Sequence, residues 1–131
     1  MKYLIDTDIA SYFLRGKHNL VEAFEKKGPS IIRLSIVTVA QMEVLAHKNP
    51  HSKINLSNIR SLAQAMGILD VDRETWRIFS VTKAEAERIG KPKGDLDILQ
   101  ASLAKQHGLI VVTHNTEHYQ GIVACEDWTK V

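Results

Sequence analysis

The chain has 131 residues, 44% of them apolar, and a formal charge of +2, which is enough for one domain with a real core and too apolar for a disordered segment. No apolar run nears the ~18 residues of a membrane span, and so mild a charge carries no case for nucleic-acid binding by itself. Cys125 is the lone cysteine, which excludes an intrachain disulfide and a cysteine-built zinc site; with no basic-then-apolar leader pattern, the expected location is the cytoplasm.

Tyr3, Leu4 and Ile5 open the chain as a short strand, followed at once by Asp6, Thr7 and Asp8. Ile9, Tyr12 and Phe13 then recur at helical spacing until Gly16. A buried strand, an acidic turn and a helix is the simplest reading. Thr7 or Asp8 can cap that helix, which leaves Asp6 at a strand end with no local task. His18 to Lys27 predicts a second helix, stopped by Gly28-Pro29. Ile31 to Val37 is rich in β-branched residues and predicts a buried strand, after which Thr38 caps a helix carrying Val39, Met42, Leu45 and Ala46, with Glu43 on it.

Asn55 to Met66 predicts a further helix ended by Gly67, and Ile68 to Val71 a third short strand. Asp72 caps Arg73 to Ile89. The breakers and lysines of Gly90 to Gly94 form a loop, and Asp95 is expected to cap the helix Leu96 to Gln106. Leu109 to Val112 is the most strand-like run, His114 to Tyr119 a turn, and Ile122 to Ala124 a final strand. Strands and helices alternate throughout. The expectation is one α/β domain over residues 1–131, with a mainly parallel central sheet of about four to five strands flanked by helices.

In a parallel sheet the carboxyl ends of all strands share one edge, and ligands bind outside it. Asp6 follows the first strand. Glu43 lies in the helix after the second, Asp97 in the first turn of the helix after the glycine-lysine loop, and Thr113 and Asn115 follow the strand Leu109 to Val112. Carboxylates gathered on one edge repel one another and call for cations. Oxygen-only donors suit Mg²⁺ or Mn²⁺. Asp95 fits an ordinary cap. Glu43, taken alone, fits a solvated helical glutamate.

The stretches LIDTDIASYFLRG, SIVTVAQMEVLAHK, GDLDILQASLAKQHGLIVVTHNTEHY and ACEDW, in that order, resemble the PIN-domain ribonucleases, closest to the VapC-type toxins of toxin–antitoxin pairs. The resemblance implies a metal-dependent endoribonuclease. It implies Asp6, Glu43 and Asp97 as ligands of one or two Mg²⁺ or Mn²⁺ ions, and Asn115 in the fourth polar position, where many members carry Asp. It implies that Thr7, Asp8 and Thr113 support the site, with Asp8 a local hydrogen-bonding partner. Asp97 fits the family's spacing because Ala101 stands four residues on, whereas Asp95 faces Leu99 there; Gln100 departs from the aliphatic residue usual before Ala101. The implied partners are RNA, a cognate antitoxin that blocks the acidic edge, and a second copy in a homodimer. No membrane partner is implied.

Some residues have open roles. His114 and His118 are candidates for RNA contact, although a turn histidine is ordinarily inert. Lys91 and Lys93 are phosphate-holding or merely solvated. Tyr12, Phe13 and Leu14 are core or a groove for an antitoxin helix. Two other functions compete. Asp6-Thr7-Asp8 after a strand is similar to the nucleophile and acid/base pair of haloacid-dehalogenase-like phosphatases, with Asp6 as nucleophile. A PIN-like module that binds RNA or protein without cutting is the non-enzymatic alternative.

Overall fold

The computed structural model describes residues 1–130. The elements run β1 (Tyr3–Ile5), α1 (Thr7–Leu14), α2 (Leu20–Lys27), β2 (Ile32–Ser35), α3 (Ile36–Lys48), α4 (Leu56–Met66), β3 (Ile68–Leu69), α5 (Arg73–Arg88), α6 (Asp95–His107), β4 (Ile110–Val112) and β5 (Cys125–Glu126). Short 3-10 turns at Pro29–Ile31 and Thr116–His118 complete the path. The sheet has five strands in the order β3-β2-β1-β4-β5, and every pairing is parallel. The expected architecture is therefore present.

β1 is the centre of the sheet, with Tyr3 in register with Ile32 on one side and Ile110 on the other. Its side chains alternate between two cores, as strand geometry requires. Tyr3 and Ile5 join Ile9, Phe24, Leu34, Met42, Leu62 and Trp128 in the larger core. Leu4 points the other way, to Ala101, Leu103, Val111 and Tyr119. A strand buried on both faces explains the unbroken apolar run Tyr3-Leu4-Ile5. Phe13 stacks on Phe24 with centroids 4.4 Å apart, and Tyr12, Phe13 and Leu14 all pack against the larger core.

Local chemistry moved several boundaries. Ser35, not Thr38, caps α3: its Oγ accepts from the Thr38 amide at 3.0 Å, so the helix begins at Ile36 and overrides the strand preference of Ile36 and Val37. Asp6 itself caps α1, accepting from the Thr7 amide at 2.9 Å; neither Thr7 nor Asp8 does. Asp95 lies inside α6, whose cap is Gly94, and its carboxylate pairs instead with Lys83 at 2.7 Å. Asp72 caps α5 as expected, in a reciprocal box with Thr75. The last strand is Cys125–Glu126 rather than Ile122–Ala124, because those two residues are the ones in register with Val111 and Val112.

Candidate active site at the carboxyl edge of the sheet

The chain runs from β1 outward through β2 to β3, then returns to the other side of β1 with β4 and β5. The crevice between the ends of β1 and β4 is therefore the point where strand order reverses, the default ligand position in an open α/β sheet. Asp6 and Thr113 stand on its two sides. The Asp6 amide donates to the Val112 carbonyl at 2.9 Å, and Thr113 Oγ1 donates to Asp6 Oδ2 at 2.9 Å. One oxygen of Asp6 thus caps α1 and the other closes the crevice. Burial first, and the charge of Asp8 second, push the Asp6 carboxyl up to about 6, against the opposing pull of its bonds from Thr7 and Thr113.

Asp8 lies in the first turn of α1 and faces the segment after β4. Its Oδ2 accepts from the His114 amide at 2.9 Å and from Asn115 Nδ2 at 3.3 Å. The Asn115 amide donates to Thr113 Oγ1 at 3.1 Å. Asp8 therefore straps the start of α1 to the end of β4 and holds the Asn115 side chain. Thr7 turns away from the acids toward α3, where its hydroxyl donates to Gln41.

Asp97 reaches the crevice from the first turn of α6, and His118 Nδ1 lies 3.2 Å from its Oδ2. Tyr119 joins the two acids. It is fully buried, and its hydroxyl lacks a hydrogen-bond partner of good geometry among the described residues. Burial and then the charges of Asp6, Asp97 and Asp8, in that order, hold its ionisation far above the usual phenol range. Asp6 is close enough to act on this hydroxyl without forming a well-aligned bond to it. The negative field of the acidic edge thus reaches this buried hydroxyl.

Glu43 is half-buried on α3, and among the described ion pairs it has no partner. No three His, Cys, Asp or Glu among the described residues form a ready-made ion cage. A pair of acids is still a sufficient foothold for Mg²⁺, which keeps several waters and needs one or two carboxylates. The donor set fits such an ion: it is all oxygen, its acids have no Lys or Arg partner among the described ion pairs, and the orphaned Tyr119 hydroxyl can bond to an ion's waters.

Beneath the crevice lies a polar network that sequence reading missed. Gln100 is buried; its Nε2 donates to the Ile5 carbonyl at 3.2 Å and to Thr38 Oγ1 at 3.1 Å, and its Oε1 accepts from Ser35. Thr38 Oγ1 also donates to the Ile5 carbonyl at 3.2 Å. The carbonyl before Asp6 is thereby fixed from two helices. The one available signal was Gln100 itself, an amide in an otherwise apolar stretch of α6. Tyr119 carried no signal beyond its nearness to Asn115. Lys93 donates to the Glu117 carbonyl at 2.7 Å and braces the turn that carries His118.

Comparison with known proteins agrees with this fold. The PIN domain family model matches residues 3–121. The tRNA(fMet)-specific endonuclease VapC of Shigella flexneri is 28% identical over 131 residues, covering 98% of this chain and 99% of the relative. Ribonuclease VapC2 of Haemophilus influenzae is 28% identical over 130 residues, 98% of each chain. Among solved structures, the DNA-bound VapBC of Salmonella typhimurium superposes with a TM-score of 0.88 at 26% identity over 98% of both chains. FitAcB of Neisseria gonorrhoeae does so at 0.86 and 25%, over 98% of this chain and 99% of the other. With a reversed-order parallel sheet, an acid at the end of its central strand, and a family match spanning the carriers of Asp6, Asp97 and Asn115, the chain belongs to the PIN-domain family.

Proposed function

We propose that this protein is a metal-dependent endoribonuclease and the toxin of a toxin–antitoxin pair. The observation that carries the reading is the switch-point crevice itself, where Thr113 bonds Asp6 at 2.9 Å and Asp8 straps His114 and Asn115 beside it, in a chain of this family. Asp6, Glu43 and Asp97 would hold Mg²⁺ or Mn²⁺. Such an ion, when bound, activates water for attack on phosphorus and offsets charge on the phosphate oxygens. The protein's own part is positioning. Thr113 and the Thr7 amide fix both oxygens of Asp6. Asp8 holds Asn115 at the crevice mouth, where a neutral amide can orient a water or a phosphate oxygen. Tyr119 closes the floor and keeps bulk water out from below. No side-chain nucleophile is required.

The Shigella relative's name makes tRNA(fMet) the first substrate to try. The VapBC and FitAcB neighbours support an antitoxin partner, which on this reading covers the acidic edge. A homodimer is also part of this reading; the apolar cleft lined by Ile36, Val37, Val44, Leu96 and Leu99 supports it, since Val44 and Leu96 are half-exposed there. The test is cleavage of transfer and messenger RNA followed on denaturing gels with Mn²⁺, with Mg²⁺ and in excess chelator. Cutting that needs the ion and leaves 5′-phosphate ends is expected. Cutting that survives the chelator removes the metal from the reading, and no cutting of any RNA with either ion removes the nuclease.

A further inference from the structure

Three rings stand beside the crevice without a role in the chemistry above. His18 and His114 lie nearly parallel, with planes 19° apart and centroids separated by 6.4 Å. Tyr12 crosses both at steep angles, 71° to His18 at 4.7 Å and 76° to His114 at 6.1 Å. Stacked bases are spaced about 3.4 Å, so a base between two flat rings needs about 6.8 Å. The two exposed imidazoles stand slightly closer than the gap one base fills, so a base enters by parting them a little, and Tyr12 forms the floor.

Both walls are held in place before anything binds. His114 Nδ1 lies 3.2 Å from Asp127 Oδ2 and 3.0 Å from Thr129 Oγ1, and its backbone amide is tied to Asp8. His18 sits in the left-handed region at φ 59°, followed by Asn19 at φ 53°. Two consecutive non-glycine residues in that region are strained, and strain of this kind persists where the fold holds a side chain for a task. Both imidazoles are exposed. The Arg15 guanidinium lies over the Tyr12 ring at 5.3 Å. Beyond His18 a cleft of about 260 Å³ is lined by Lys26, Lys27 and Lys130 together with Glu22 and Asp127, so lysines border the slot among acids.

We propose that His18 and His114 clamp one unpaired base of the RNA strand beside the scissile phosphate, with Tyr12 beneath it. The inference rests on the ribonuclease reading. It favours RNA over a protein side chain because His114 directly follows Thr113, so a strand lying across the crevice passes this slot. Paired π-faces with flanking cations are also the chemistry that holds single-stranded bases without reading their edges.

The test titrates the full chain with short single-stranded RNAs carrying one 2-aminopurine at successive positions, in EDTA, with RNA integrity checked on a gel. Quenching at one position is expected. His18→Ala and, independently, His114→Ala should each abolish that quenching and weaken binding ~10-fold, and His18→Phe should restore it. Folding of each variant is checked by circular dichroism. Absence of quenching at every position, or quenching that survives both alanine variants, overturns the clamp. Loss of antitoxin binding in His18→Ala with unchanged RNA affinity assigns the slot to a protein side chain and also overturns it. The same RNAs incubated with Mn²⁺ report on the nuclease separately: cutting without quenching removes the clamp alone, and quenching without cutting removes the nuclease alone.

Discussion

Asp6→Asn should stabilise the metal-free protein, and by an amount that depends on pH. The folded carboxyl is raised from 3.8 to about 6, which is about 3 kcal/mol at about 1.4 kcal/mol per tenfold change in proton affinity. Because the folded state holds this proton more tightly than the unfolded chain, stability falls as pH climbs from 3.8 through 6, and the full penalty applies above that. An asparagine never ionises. Its Oδ1 can keep the cap on the Thr7 amide, since Asn caps as well as Asp. Its Nδ2 can donate to Thr113 Oγ1, which then turns its own proton toward Asp8 Oδ2, 3.4 Å away. Allowing for imperfect replacement of those bonds, the variant should gain ~1–3 kcal/mol at pH 8, or about 4–10 °C in Tm for a chain of this size. Melts of both proteins in EDTA, from pH 4 to pH 8, measure it. The gap should be widest at pH 8 and close toward pH 4. A gap that is constant with pH, or a less stable variant at pH 8, would refute burial and Asp8 repulsion as the source of the raised affinity.

Asp97→Asn should abolish RNA cleavage with the fold intact, whereas Asp95→Asn, which loses only an exposed pair with Lys83, should retain it; a gel assay of the two side by side decides, and reversed outcomes would relocate the α6 ligand. Gln100→Leu should cost ~1–3 kcal/mol in chemical denaturation, because Ser35 and the Ile5 carbonyl lose a buried partner. Asn115→Asp should tighten Mn²⁺ binding by calorimetry and lower the Tm without metal, since a second carboxylate would face Asp8 across the present 3.3 Å bond. Leu96→Asp should yield a monomer by light scattering if the apolar cleft beside α3 is a dimer face.

Periodicity and breakers made the alternating elements and the parallel sheet legible, because a strand buried on both faces leaves an apolar run and a helix leaves a stripe. The acidic edge was legible for the same reason: residues after parallel strands share one end. What escaped depends on contacts between distant positions. Asp6 was denied the cap of α1 because a carboxylate was assumed to serve one purpose, whereas its two oxygens serve Thr7 and Thr113 separately. Val37 looked like strand because a β-branched run says nothing of the Ser35 cap that overrides it. The final strand was misplaced because its two residues are chosen by pairing with Val111 and Val112, not by propensity. Gln100 looked like a mild departure from pattern because its partners lie 65, 62 and 95 residues away. Tyr119 gave no hint that its hydroxyl would be buried without a partner beside the acidic edge.

The Asp6–Thr113 and Asp8–Asn115 bonds join groups 107 residues apart, which sets the order in which the acidic edge can come into being. During synthesis Asp6, Asp8 and α1 leave the ribosome before Thr113, Asn115 and Tyr119 do. Loop closure over such a span follows the local helices. A nascent chain halted before β4 therefore carries its first carboxylates without the strand, the strap or the floor that would make an edge of them. For a chain read as an RNA-cutting toxin, this topology delays the hazard: the crevice is finished only once the segment after β4 has emerged and closed onto Asp6 and Asp8.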